Sequence, residues 1–151
     1  MDTILLAIHN ILRWVILLLG VMALIRAYRG YLGNLEWRLL DRKIGMYFSI
    51  ALDVQLLIGL ILYFFVSDIT RPALGNLSQA MGNQLTRFFL LEHFLYMIIA
   101  VALAHVGTVT SRREVNMRLK HRKAAIWFSL AFVALMLGMP WFRPLFPGLG
   151  G

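Results

Sequence analysis

The sequence contains no cysteine and few charged residues, and both shortages limit what the protein can be. Without cysteine there is no disulfide, iron–sulfur cluster or thiolate zinc site. Charged residues make up 15% of the 151 residues, whereas hydrophobic residues make up 60%. A soluble domain carries about 25% charged residues. The composition therefore argues against a water-soluble enzyme and against a free nucleic-acid-binding protein.

The sequence contains four long apolar runs. They cover residues 3–27, 44–66, 88–109 and 124–141. Each run approaches the ~20 residues that a helix needs to cross about 30 Å of hydrocarbon. The runs lack the alternating pattern of membrane β-strands. The sequence therefore predicts an all-α protein: an integral membrane four-helix bundle, folded as a single domain over residues 1–151.

Lysine and arginine are distributed unequally between the two sides of this bundle. One side holds only Arg71, Arg87 and Arg143. The first and third connections hold eleven basic residues, namely Arg26, Arg29, Arg38, Arg42, Lys43, Arg112, Arg113, Arg118, Lys120, Arg122 and Lys123. Basic loops stay on the cytoplasmic side, so both termini are predicted to lie outside. The net charge of +8 then determines the topology and attracts anionic lipid head groups, so it is no indication of nucleic-acid binding.

Two histidines are predicted to lie at the same depth in the membrane. His9 is six residues from the start of the first run, and His93 is six residues after Arg87. At ~1.5 Å per residue, both lie about 9 Å below the outer edge, on helices that run in the same direction. This arrangement suits the axial ligation of a haem b between two packed helices. The alternative is that each imidazole is a membrane histidine bonded to a backbone carbonyl.

Three further ionisable residues of the runs need partners, because charges in hydrocarbon are costly. Arg13 follows His9 by one helical turn. It is expected to bind a haem propionate and to pair with Asp53 on the second helix, two roles that do not exclude each other. Glu92 points away from its neighbour His93. It is expected to handle protons near a quinone or to pair with Arg87 or Arg13.

A second haem is a further hypothesis that depends on His105. This residue lies twelve positions after His93, about 18 Å deeper, where Met22 of the first helix is available as a second ligand. Methionine is also an ordinary packing residue. His121 stands in a Lys-His-Arg-Lys cluster, and we expect it to be solvated or lipid-facing.

Small residues and the outer connection leave two questions open. The runs contain four glycines that permit either close helix packing or room for a flat macrocycle: Gly20, Gly59, Gly107 and Gly138. The connection 67–87 is rich in Gly, Asn, Ser and Gln. It is expected to be a loop that covers a cofactor edge or binds an extrinsic partner.

Short stretches of the chain resemble a family of small bacterial four-helix membrane proteins labelled cytochrome b-like. The resemblance covers nearly the whole chain and is carried by His9-Asn-Ile-Leu-Arg-Trp, Gln55-Leu-Leu-Ile-Gly-Leu-Ile-Leu-Tyr-Phe, Arg87-Phe-Phe with Glu92-His93, and Gly138-Met-Pro-Trp. It implies haem b, electron transfer at the quinone level and a bacterial cytoplasmic membrane. The family pattern has a histidine where Asp53 stands, whereas His9 and His93 match it.

Two classes of function follow from these observations. The first is a haem b electron carrier, with His9 and His93 as axial ligands, that exchanges electrons with the quinone pool or a larger redox complex. The second is a cofactor-free accessory subunit of a respiratory or photosynthetic membrane complex. A transporter would require inverted repeats or broken helices, which the sequence does not clearly contain.

Overall fold

The structure of the protein, a computed structural model, describes residues 2–142. Arg143 and the rest of the C-terminal segment lie outside this range. The described residues form helices and no strand, in the order α1 (Asp2–Leu32), α2 (Leu39–Ile61), a π-helical turn (Leu62–Val66), α3 (Thr70–Gly75), α4 (Leu77–Gly82), α5 (Gln84–Arg87), a second π-helical turn (Phe88–His93), α6 (Phe94–Arg113) and α7 (Met117–Gly138). The all-α class is confirmed.

The long helices extend into polar sequence beyond the predicted runs. Helix α2 begins at Leu39 because the Asp41 carboxylate accepts a hydrogen bond from the Arg38 backbone N–H at 2.8 Å. Helix α7 begins at Met117, where the Asn116 side chain caps the first turn. It ends at Gly138 and not at residue 141, since Pro140 has no backbone N–H to continue the helix. Apolar runs mark only the part of a helix suited to hydrocarbon.

The four long helices pack as a closed ring, in the order α1, α2, α6, α7 and back to α1. Helices α1 and α6 are therefore diagonal to each other across the bundle. The centre is filled by Phe48 and Phe128, whose rings meet edge to face at 5.9 Å. Small side chains let the backbones approach closely around this pair. The buried alanines of this central core are Ala23, Ala27, Ala51, Ala100, Ala104, Ala124, Ala125, Ala131 and Ala134.

Three of the four glycines of the apolar runs allow close helix packing. A Cβ atom at Gly20 would lie 2.8 Å from the Phe132 ring, and one at Gly107 would lie 2.9 Å from Phe128. At Gly138 the nearest neighbour would be only 2.5 Å away. Gly59 is different, because its only close neighbour is the imidazole of His9 at 3.4 Å. This glycine lies beside the predicted site.

Three helical segments are long and apolar enough to cross a membrane, which indicates a membrane protein. They are Ile4–Leu32, Leu39–Val66 and Gln84–Arg113. The two basic connections lie at the same end of the bundle, where the Arg118 guanidinium lies 5.3 Å from the centre of the Tyr31 ring. This grouping agrees with the charge asymmetry of the sequence.

The opposite end of the bundle is covered by α3, α4 and α5. The segment predicted as a loop is thus largely helical, and the Asn76 and Asn83 side chains cap α4 and α5. The two π-helical turns meet beneath these helices, where the Tyr63 hydroxyl donates to the Leu90 carbonyl at 2.9 Å. A π-helical turn interrupts the regular backbone hydrogen bonding of an α-helix. Here the Tyr63 hydroxyl binds a backbone carbonyl of the second π-helical turn.

Candidate functional site

His9 of α1 and His93, in the π-helical turn that leads into the diagonal helix α6, lie close together and are both partly buried. Their ring centres lie 6.4 Å apart and the ring planes are inclined by 65°. The predicted juxtaposition of these two residues is confirmed. His93 is the last residue of the π-helical turn, an irregularity that is frequent at functional sites.

The His93 ring is fixed by a backbone carbonyl. Its Nδ1 lies 2.6 Å from the Gly138 oxygen, at the end of α7. Because a carbonyl only accepts, Nδ1 carries the proton when this bond forms, and Nε2 keeps its lone pair. A histidine that binds a metal through one ring nitrogen characteristically donates the N–H of its other ring nitrogen to a backbone carbonyl or a carboxylate.

The surroundings of His9 combine polar and small residues from α1 and α2. Gln55 Nε2 donates to the His9 backbone carbonyl at 3.0 Å, and Gly59 lies beside the imidazole. His9 Nδ1 is buried and has no hydrogen-bond partner among the described residues. Such an atom is costly unless something else contacts it. Arg13 lies one turn further along α1 and is 7% exposed, so a basic group is buried close to the histidine pair.

Aromatic rings close the site on the side of the short helices. The Phe88 and Phe89 rings lie 6.1 and 5.8 Å from the His93 ring, and Phe142 contacts both of them. Tyr63 packs against Phe94 with ring centres 4.9 Å apart. The histidines therefore lie beside an apolar aromatic wall that limits access of water.

The expected pair of Arg13 with Asp53 is wrong. Asp53 instead contacts His105 of α6, with 2.8 Å between the carboxylate Oδ1 and the imidazole Nε2. The reason is helical geometry: Gln55 points at α1, and a residue two positions away points about 200° round the helix. Asp53 therefore faces the other neighbour, α6.

His105 belongs to this second cluster and not to the His9–His93 site. Its side chain is 48% exposed on the outside of the bundle, and that of Asp53 is 40% exposed. Met22, the suggested second ligand, is also on the surface. Glu92 takes one of its two predicted partners, since Arg87 Nε donates to its carboxylate at 3.0 Å.

His121 was expected to be solvated or lipid-facing, and this expectation is wrong. The side chain is 1% exposed and packs edge to face against Trp37, with ring centres 4.8 Å apart. A Cβ atom at Gly30 would overlap the imidazole ring. No neighbour of His121 in the sequence indicates this burial, because Gly30 is distant in the chain.

No family model matches the chain, and no significant match is found among curated proteins or among solved structures.

Proposed function

We propose that the protein is a membrane-bound, b-type cytochrome-like electron-transfer protein that holds haem b between α1 and α6. The observation that carries this proposal is the 6.4 Å separation of the His9 and His93 rings inside the bundle. One imidazole nitrogen from each histidine would hold the iron of a haem bound between them.

The composition of the site favours a haem over a bare metal ion. Within residues 2–142 no group of three or more His, Asp or Glu side chains is placed to hold a metal. Two imidazoles leave most of a coordination shell to be supplied, and the tetrapyrrole of haem supplies it. The orphaned Nδ1 of His9 and the small residue Gly59 beside it support the same interpretation.

Each residue of the site then has a definite task. His9 and His93 would hold the iron, and the Gly138 carbonyl orients His93. Arg13 offers a buried positive charge one turn from His9, which suits a haem propionate. Bound haem supplies one-electron redox chemistry. The aromatic wall of Phe88, Phe89 and Phe142 keeps the surroundings apolar.

The proposal includes a placement in the membrane. We propose that α7 crosses together with the three more apolar segments, so that both termini lie outside. The basic end of the bundle would then face anionic lipids at the cytoplasmic side of a bacterial cytoplasmic membrane. We propose that the electron partner is the quinone pool or a larger membrane redox complex.

A second candidate function is a cofactor-free accessory subunit of a membrane complex. It is favoured by two hydrogen bonds that tie the site together without any ligand. Gln55 links α2 to the His9 carbonyl, and His93 links α6 to the end of α7. In this case the histidines stabilise helix packing, and the surface of the bundle contacts the partner subunits.

The deciding experiment is a dithionite-reduced minus oxidised spectrum of the purified protein with pyridine haemochrome quantitation. A sharp reduced band at about one haem per chain is expected, together with its loss in His9→Ala and in His93→Ala. His105→Ala is the matched control and should keep that haem. Two haems per chain would support His105 as a ligand of the second haem. A flat spectrum from protein made with ample haem would overturn the cytochrome proposal.

A further inference from the structure

The three short helices, at the end of the bundle opposite the basic connections, expose apolar side chains and carry almost no charge. Leu74 of α3, Leu77 and Met81 of α4 and Leu85 of α5 are 37–55% exposed. Residues 72–86 contain no Asp, Glu, Lys or Arg. A surface that faces water typically carries charged residues at about 25–35% of its positions. The exposed side of these helices is therefore poorly suited to water.

These helices pack back against the bundle instead of projecting from it. Ala73 of α3 and Ala80 of α4 are buried together with Leu90 of the second π-helical turn. Tyr63 packs against this cluster, and the Thr70 hydroxyl donates to the Tyr63 carbonyl at 2.7 Å. The short helices therefore lie at the level of Tyr63 and Leu90.

Tyr63 and Leu90 lie inside the segments that are long enough to cross a membrane. These segments, Leu39–Val66 and Gln84–Arg113, have 28 and 30 residues. Helices of this length measure about 42–45 Å, which is the thickness of a bilayer with its head groups. With their basic ends in one head-group layer, their other ends reach the opposite layer. Tyr63 and Leu90 are three and six residues from those ends, about 5–9 Å deeper. The short helices beside them therefore lie at the boundary between head groups and hydrocarbon.

We propose that α3, α4 and α5 form an interfacial membrane element whose exposed side binds the lipids of that leaflet. Phe64, Phe65 and Leu91 stand next to these two residues in the chain, and all three are exposed. They belong to the membrane-crossing segments and face lipid, so the apolar side chains of the short helices continue the same lipid-facing surface. The inference rests on the proposed placement in a membrane and needs no haem. It assigns the connection 67–87 to the membrane and not to a water-soluble partner.

The composition of the short helices indicates which lipids they bind. Interfacial helices commonly carry Lys and Arg, which attract anionic lipids. The exposed polar residues of α4 and the start of α5 are instead uncharged, namely Ser78, Gln79 and Gln84. Their hydroxyl and amide groups donate to phosphate and ester oxygens, which phospholipids have whatever their net charge. Binding should therefore not depend on head-group charge, in contrast to the basic end of the bundle.

The test is spin labelling of the full chain in lipid nanodiscs, which the absence of cysteine from the sequence makes direct. A nitroxide is attached to Leu77→Cys or to Met81→Cys. Its collisions with oxygen, which dissolves in hydrocarbon, are compared with its collisions with a water-soluble nickel chelate. The controls are Phe65→Cys, which faces lipid, and Val115→Cys in the connection between α6 and α7; these side chains are 72% and 89% exposed.

The oxygen-to-nickel ratio at positions 77 and 81 should exceed that at position 115 by about threefold or more, because the acyl boundary excludes the chelate. It should be the same in nanodiscs of phosphatidylcholine with and without phosphatidylglycerol. Labels on α4 that match position 115, while position 65 remains in lipid, would place the short helices in water and overturn the assignment.

Two other results would also overturn it. Labels on α4 that are shielded from both reagents, with or without disulfide dimers of Leu77→Cys chains, would show that protein covers this surface. A high ratio only with phosphatidylglycerol would show that the uncharged surface does not bind lipid by itself. If the label at position 65 also matches position 115, the membrane placement is wrong as well, whatever the haem spectrum shows.

Discussion

The imidazole of His121 occupies the space that a side chain at Gly30 would need. His121 comes from α7 and Gly30 from the last part of α1, and the Trp37 ring packs edge to face against the imidazole. His121 Nε2 also lies 3.4 Å from the Glu36 carbonyl. This contact fixes the α1–α2 connection against the start of α7, at the basic end of the bundle.

Gly30→Ala should therefore destabilise the protein by about 1–3 kcal/mol, the usual cost of an extra carbon in a filled site. The measurement is thermal unfolding of the detergent-solubilised protein. Gly75→Ala is the matched control, because a Cβ atom there meets nothing within 4 Å. Adding His121→Ala should recover part of the loss. Equal effects of Gly30→Ala and Gly75→Ala would contradict the contact.

The bond between Tyr63 and Leu90 supports a second prediction about stability. Tyr63→Phe leaves the Leu90 carbonyl of the second π-helical turn without its donor, at a cost of about 1 kcal/mol. Tyr47→Phe removes a hydroxyl from a half-exposed ring and should cost much less. Both variants are compared by denaturant unfolding in detergent. A similar loss in the two variants would show that the hydroxyl of Tyr63 is not important.

The length of the apolar runs and the depth of residues within them were enough to predict the long helices and the His9–His93 contact. Apolar length predicts helices in lipid, and equal distance from the outer edge placed two residues of separate helices together. Depth alone does not give direction, however. Arg13 and Asp53 are close in depth, yet Asp53 turns to α6 because the rotation of α2 is set by Gln55 and the core.

Other features depend on contacts that a single sequence does not display. His121 looked solvated because its neighbours in sequence are basic, but its burial depends on Gly30, which is distant in the chain. The segment 67–87 looked like a loop because it is polar. Its short helices depend on side-chain caps by Asn76 and Asn83 and on the surface beneath them.

Glu114 should make stability depend on pH outside the membrane-spanning segments. A hydrogen bond from Lys123 lowers the pKa of the Glu114 carboxyl, and the backbone N–H groups of Asn116 and Val115 lower it further. A lowered folded pKa adds stability above the unfolded value of about 4.3, and this stability is lost as pH falls through the folded pKa.

Wild-type should therefore melt at a higher temperature than Glu114→Gln at pH 7, and the two should converge only once the pH has fallen below the lowered folded pKa of Glu114. The comparison is made in one detergent at constant ionic strength, with Glu36→Gln as the control. A difference that persists at low pH would show that Glu114 acts by packing and not by charge.

Gly138→Ala links packing to the proposed haem. The added Cβ would lie 2.5 Å from the Met97 methyl and 2.6 Å from Tyr96 Cβ, so the end of α7 must move and carry its carbonyl away from His93. Loss of a bond that orients a metal ligand typically weakens metal binding 10–100-fold. Haem per chain should fall and the reduction potential should shift, whereas Gly82→Ala, in open space, should change neither. Full haem with an unchanged potential in Gly138→Ala would show that His93 is not positioned for iron by this carbonyl.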